Sequence, residues 1–307
     1  MGLNRYEFVV ATRKIVRNIV AIVFVALWTP VSVAGIILEP TGGATVLSGP
    51  ADEVQVRLLN NRSYVTPSST GSFNGKFYNQ PVTDLWISDN GNLNFDGTSG
   101  GFFPNPFTTS TRLIAPFWDD FIFLEGSQII NHSIPGSYLA ITWKDAFLFN
   151  DTDLINNPPP GMDADSFRRT TQVVWFERDM NLRGFDFKKD DIAFGYSGFS
   201  LESIDATIGV SLSNSVFTGI PGGINGSISS PDPNNLIPWD ENEFLLFRPT
   251  TDGSSYTAST GQLTAVPEPS SLFLALGWIA LAFAKWRSQK PNVPMGKPEG
   301  FAKIPSA

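Results

Sequence analysis

The sequence predicts an all-β protein whose body is an antiparallel β-sandwich, flanked by an N-terminal signal helix and a C-terminal short transmembrane helix. Three observations favour this fold class. Short apolar runs separated by Gly, Pro and Asn fill the middle of the 307-residue chain, which is typical of strands joined by turns. Charged residues are 16% of the chain, below the roughly 25% of an average domain. The middle shows no amphipathic helix, so the crossovers that a parallel sheet needs are missing.

The composition excludes several classes of functional site. The chain has no Cys and a single His, which rules out disulfide scaffolds, zinc sites built from Cys and His, and thiol nucleophiles. Catalysis by histidine would have to use His132, which has no second His near it and which we expect on a surface loop. The formal net charge is −8 although both ends are basic, so the body is acidic. An acidic body argues against a nucleic-acid partner.

The N-terminus has the form of a secretory signal. Basic side chains precede an uncharged apolar run, 19–28, and small residues follow at Ser32 and Ala34. This order predicts a signal peptide over 1–34, cut by signal peptidase between Ala34 and Gly35. The alternative is a retained membrane anchor, for which the apolar run is shorter than the ~20 residues that a spanning helix needs.

The body, 35–249, begins with alternating residues and a hairpin. Val54, Val56 and Leu58 alternate with polar residues, and Asp89-Asn90-Gly91 separates two apolar runs. Asn-Gly between such runs is the strongest short hairpin signal. Further strands are predicted at 112–114, 138–143, 171–177, 192–196, 207–212 and 243–247. Turn residues between them indicate antiparallel neighbours.

A Pro-rich excursion, 150–166, interrupts the strands. Its consecutive prolines, 158–160, cannot donate to a strand ladder, which places the segment on the surface. Two Asp-x-Asp pairs flank the prolines: Asp151, Asp153, Asp163 and Asp165. Oxygen ligands suit a hard cation, so these four are candidate calcium ligands. The competing interpretation is that they are solvated loop acids, because the EF-hand spacing is absent.

Segments of the body resemble a nidogen-like extracellular (NIDO) domain. Phe77-Tyr78 and the hairpin at 85–95 are similar to the opening of that domain. Residues 114–120 are similar to its stretch of an apolar residue, Ala, Pro, Phe, Trp and an acid. Its later strands are similar to the segments 141–143, 172–175, 192–196 and 206–210. The resemblance covers about 73–214, with the Pro-rich excursion as an insertion, and implies an extracellular adhesion or matrix role.

The acidic and aromatic residues of 114–120 do not form an obvious catalytic site. Asp119 and Asp120 are neighbours, whose side chains point to opposite faces of a strand, whereas a retaining glycosidase needs two carboxyls ~5 Å apart. We expect them to be strand-end groups that bond backbone amides. We expect Phe117 and Trp118 in the core, with a sugar-stacking platform as the alternative.

The C-terminus carries an ordered set of signals. A Ser/Thr-rich stretch, 250–265, is predicted to be a linker. Pro267-Glu268-Pro269 then precedes an uncharged apolar run, 272–284, and the basic residues Lys285 and Arg287. This order resembles the PEP-CTERM sorting signal of exopolysaccharide-producing Gram-negative bacteria and cyanobacteria. The run spans only ~20 Å as a helix, which suits a transient anchor.

The PEP-CTERM resemblance covers 266–290 and implies processing by exosortase, an integral-membrane protease or transpeptidase. Exosortase would recognise Pro267-Glu268-Pro269 and remove the helix, while Lys285 and Arg287 hold the tail in the cytoplasm. Family members usually stop soon after the basic cluster, whereas this chain continues through 291–307, which we expect to be disordered.

The predicted function is that of a secreted or cell-surface, non-enzymatic matrix or adhesion protein. It would be anchored in the inner membrane before processing and then reside at the cell surface or outside the cell. Its processing partners would be signal peptidase and exosortase, and its binding partners exopolysaccharide or matrix proteins. The alternatives are an extracellular polysaccharide hydrolase, with converging carboxylates from different strands, and a calcium- or glycan-binding module.

Overall fold

The computed structural model describes residues 37–38, 45–48, 55–65, 71–95, 97, 112–199, 205–213, 215–220, 227–229 and 242–264. They lie within one compact unit, Ser32–Val266. The strands, numbered in chain order, are β1 (Thr45–Ser48), β2 (Gln55–Asn60), β3 (Ser63–Tyr64), β4 (Lys76–Phe77), β5 (Gln80–Pro81), β6 (Leu85–Ser88), β7 (Asn92–Asn94), β8 (Leu113–Trp118), β9 (Phe121–Ile122), β10 (Gln128–Asn131), β11 (Tyr138–Leu148), β12 (Arg169–Phe176), β13 (Met180–Leu182), β14 (Phe185–Phe187), β15 (Ile192–Ser197), β16 (Asp205–Ser213), β17 (Val216–Gly219), β18 (Ser227–Ser229), β19 (Glu243–Pro249) and β20 (Tyr256–Gln262). Between β11 and β12 lie a 3-10 turn (Phe149–Asp151), a short helix α1 (Thr152–Asn156) and a second 3-10 turn (Ala164–Phe167).

The strands form two large antiparallel sheets. Sheet A has the order β1-β10-β11-β12-β15-β19-β20, with β9 paired to the end of β11. Sheet B has the order β17-β16-β8-β7-β6-β2-β3, with β18 paired to β16. The hairpins β4–β5 and β13–β14 are separate two-stranded sheets. Every described strand pairing is antiparallel, so the predicted all-β, antiparallel class is confirmed.

A common core lies between the two sheets. Because side chains alternate along a strand, each sheet turns one row inward. The inward rows share one buried cluster, with Ile87, Leu93 and Ile114 from sheet B and Trp143, Trp175 and Phe194 from sheet A. The arrangement is therefore sandwich-like.

The outer face of sheet A is buried as well. The hairpin β13–β14 lies on it, and the ring of Phe187 stacks on that of Phe176 with centroids 4.1 Å apart. Ile37 and Leu263 join the same cluster. Burial on both faces explains why all eight residues of β12 are buried, in the manner of a central strand covered on two sides.

The predicted hairpin at Asp89-Asn90-Gly91 is confirmed, joining β6 to β7. Gly91 has a φ of +70°, and a Cβ there would lie 1.9 Å from the carbonyl oxygen of Phe117. Only glycine fits both the left-handed conformation and this close approach. The turn is thereby packed against the end of β8.

The predicted linker at 250–265 is wrong for most of its length. Residues of β20 pair along the whole of β19, and Tyr256 and Leu263 are buried at either end of the strand. A Ser/Thr-rich composition is compatible with an exposed edge strand as well as with a linker. The burial of Tyr256 and Leu263 distinguishes the strand from a linker.

Candidate functional site

The loop end of the body gathers the acidic residues that the sequence singles out. We define it as the turns 89–91 and 119–120, the excursion 149–168 and residues 198–199. It contains the four candidate calcium ligands and the pair Asp119-Asp120. These segments follow the strands β6, β8, β11 and β15, which reach one end of the two sheets.

Specific contacts join these segments. The amide of Phe117 donates to the carbonyl of Gly91 at 3.4 Å, and the amide of Phe149 donates to the carbonyl of Asp120 at 2.8 Å. The rings of Phe117 and Phe199 have centroids 4.6 Å apart. The loop end is therefore one connected surface with an aromatic floor.

Two carboxylates of the loop end are bonded within their own turns. Asp119 is 4% exposed, and its Oδ1 accepts from the amide of Asp120 at 2.7 Å. Asp89 is 1% exposed, and its Oδ1 accepts from the amide of Asn90 at 3.0 Å. The predicted role of Asp119, a strand-end group that bonds a backbone amide, is confirmed.

The first pair of candidate calcium ligands lies around α1. Asp151 Oδ2 is 3.7 Å from Nη2 of the buried Arg169, whose guanidinium lies 6.0 Å from the centre of the Phe199 ring. Asp153 is exposed in the first turn of α1. A buried arginine thus competes with any cation for Asp151.

The second pair organises the turn that leads into β12. Asp163 Oδ1 accepts from the amide and the hydroxyl of Ser166 at 3.0 and 2.8 Å. These hydrogen bonds lower the pKa of Asp163. Asp165 Oδ1 accepts from Nε of Arg168 at 2.7 Å. No group of three or more acidic or histidine side chains within the described residues could hold a metal ion, so calcium binding stays a prediction.

The position predicted for His132 is wrong, because the residue is buried. Its amide donates to the carbonyl of Ala140 at 3.0 Å, which continues the β10–β11 ladder. Nε2 lies 2.9 Å from the hydroxyl of Thr142 and 3.4 Å from the amide nitrogen of Gln172. Burial lowers the pKa of His132 to about 4. The apolar strand pattern at 128–131, directly before His132, is the signal that could have predicted its burial.

Sequence reasoning missed Glu177, a buried carboxylate that joins three distant segments of the chain. Glu177 is 5% exposed, and its carboxylate accepts from the amides of Asn74 and Gly136 and from the hydroxyl of Tyr64, at 2.8, 3.1 and 3.3 Å. Burial raises the pKa of Glu177. Its partners are distant in the chain, so no local pattern could have revealed them.

The predicted processing residues lie outside the described residues: Ala34, Gly35, Pro267, Glu268, Pro269, Lys285 and Arg287. Within the part of the chain that the structure describes, no helix combines the length and the apolar character needed to cross a membrane.

The chain matches no family model, and no curated protein or solved structure matches it significantly. The NIDO and PEP-CTERM resemblances therefore depend on the residues that carry them.

Proposed function

We propose that this chain is an exported, non-enzymatic matrix or adhesion protein of the cell surface, sorted by exosortase. The order of signals at the C-terminus carries the proposal: Pro267-Glu268-Pro269, the apolar run 272–284 and the basic stop at Lys285 and Arg287. Basic residues remain on the cytoplasmic side of a membrane. The basic residues of the signal peptide, 1–34, also stay on the cytoplasmic side. Both ends therefore place the body outside the cytoplasmic membrane.

A binding role for the body is favoured over hydrolysis by the contacts of the described residues. The groups that a hydrolase would use make structural bonds: Asp119 with a backbone amide, Asp151 with Arg169, and His132 with Thr142. We propose that the sandwich is NIDO-like over about 73–214 and meets exopolysaccharide or other matrix proteins outside the cell.

Fractionation of the native host tests the sorting signal. Glu268→Ala and Pro269→Ala should each leave the protein in the inner membrane, because exosortase no longer recognises the site while 272–284 still anchors it. Glu299→Ala changes the other Pro-Glu pair of the chain, which lies in the tail; it is the matched control and should be released like the wild type. Release of the Glu268 and Pro269 variants at the wild-type level would overturn the proposal.

Intact-mass measurement of the wild-type protein from the same host tests both cleavages together. The released form should begin at Gly35 and lack 272–284. A stop codon after Ala265 should release a soluble body without a membrane stage, because the apolar run is never made. A wild-type mass that retains both ends would contradict the processing proposed at both.

A further inference from the structure

A buried side chain holds the segment at Ile37–Leu38 on sheet A. Gln172 Oε1 accepts from the amide of Leu38 at 2.9 Å, and Gln172 Nε2 donates to the carbonyl of Leu38 at 2.7 Å. The side-chain amide thereby imitates a strand neighbour. Gln172 is fully buried, and Ile37 is 1% exposed in the outer-face cluster of the same sheet.

Two hydrogen bonds connect Gln172 to His132 through the hydroxyl of Thr142. Nε2 of Gln172 can only donate, and its second hydrogen goes to the hydroxyl of Thr142 at 2.8 Å. The hydroxyl of Thr142 lies 2.9 Å from His132 Nε2 and donates to it when that nitrogen carries no proton. This is the arrangement of the neutral imidazole with its proton on Nδ1.

A second proton on His132 changes the hydrogen bonds of this chain. Nε2–H would donate to the oxygen of Thr142, whose own hydrogen then loses its acceptor. It would also set a donor against the NH2 group of Gln172, whose nitrogen lies 3.4 Å away. If the amide of Gln172 turns over to offer its oxygen to the imidazolium, its nitrogen faces the amide of Leu38. Two donors then oppose each other, and both bonds to Leu38 are lost.

The described surroundings provide little that would stabilise the imidazolium. On this face β11 contributes Tyr138 and Lys144, and its bulge contributes Asp145, whose amide donates to the hydroxyl of Thr170. Asp145 is also within 3.8 Å of Lys144. The residues of β10 and the neighbours of Gln172 on β12 add no charge to this face. The low pKa of His132 follows from this uncompensated burial.

We propose that His132 is a proton-operated latch: its protonation releases Leu38 from Gln172 and frees the segment at Ile37–Leu38 from sheet A. The proposal rests on the described residues alone and is independent of the proposed sorting and matrix functions. It assigns a conformational role to the one histidine of the chain.

Hydrogen exchange of the full-length protein, read residue by residue and corrected for the intrinsic rate at each pH, tests the latch. The protection of the Leu38 amide should fall about tenfold or more between about pH 7 and about pH 4.5, since the open form binds the proton more tightly. The amide of Val174, in the centre of β12, should keep its protection. An equal loss at Val174 would mean that the whole body opens, and would overturn the latch.

Three variants separate the latch from other acid effects. His132→Gln can accept from Thr142 without titrating, so protection of Leu38 should become independent of pH. Thr142→Val removes the hydroxyl that links Gln172 to His132, and should weaken the pH dependence of the protection of Leu38. Glu39→Gln removes the carboxyl next to Leu38 in the sequence and should leave the dependence intact. A fall that persists in His132→Gln, or that disappears in Glu39→Gln, would overturn the proposal.

Discussion

We expect His132 to make the stability of the body depend on pH. Its pKa is about 4 in the folded protein against 6.5 when unfolded, so between these values the unfolded chain binds more protons. The free energy of unfolding should therefore be highest above pH 6.5. It should fall as the pH drops toward 4, by about 3 kcal/mol in all. Urea unfolding at several pH values measures this. His132→Gln should show a flatter dependence, and identical slopes would contradict the assignment.

Trp118 is buried, but on the outer face of sheet B, where it packs with Leu113, Ala115 and Phe217. It is 3% exposed, so its replacement opens a cavity that a small cluster cannot fill. Trp118→Ala should lower the free energy of unfolding by about 3 kcal/mol, measured by urea. The half-buried Trp86 serves as control, and Trp86→Ala should cost clearly less. A well-folded Trp118→Ala protein that loses only glycan binding would favour a sugar platform.

We expect the excursion between β11 and β12 to be dispensable for folding. None of the residues of α1 is buried. The Arg168–Asp165 ion pair should stabilise the fold little, because the carboxylate of Asp165 is exposed. Replacing Thr152 to Asp165 by a short Gly-Ser linker should shift the melting temperature by no more than about 3 °C. Scanning calorimetry measures the shift. A large loss would show that the excursion packs as part of the structure.

We expect the strand β20 to be required for stability, unlike the linker that the sequence predicts in its place. Its Tyr256 packs into the core between the sheets, and Leu263 joins the cluster on the outer face of sheet A. A stop codon after Asp252 removes both side chains and should lower the free energy of unfolding by about 3 kcal/mol or more. A stop codon after Ala265 is the matched control and should leave the free energy of unfolding unchanged. Equal melting temperatures would contradict the role of β20.

At the scale of the whole molecule, calcium is expected to have little effect on stability. A ligand that binds only the native state raises the melting temperature, but Asp151 and Asp165 already face arginines and Asp163 caps a turn. Millimolar calcium should therefore change the melting temperature by no more than about 1 °C. A rise of several degrees, lost on chelation, would establish a calcium site at the loop end.

The local features of the molecule could be predicted from the sequence, and the distant pairings could not. Alternation and the Asn-Gly turn predicted the β6–β7 hairpin, because these signals lie within a few residues. The bonds of Glu177 to Asn74 and of Gln172 to Leu38 join residues 103 and 134 positions apart. No local pattern encodes such pairs, so the burial of His132 and Glu177 remained hidden.

Both ends of the described body are held on the same side of it. Ile37 and Leu263 share one cluster on the outer face of sheet A, and the amide of Thr264 donates to the carbonyl of Arg183 at 2.8 Å. A tensile force between the two ends therefore reaches these outer attachments before it reaches the packing between the sheets. Single-molecule stretching should record a short extension ahead of the main rupture. We therefore expect the ends of the body to lengthen under load while the core between the sheets stays packed.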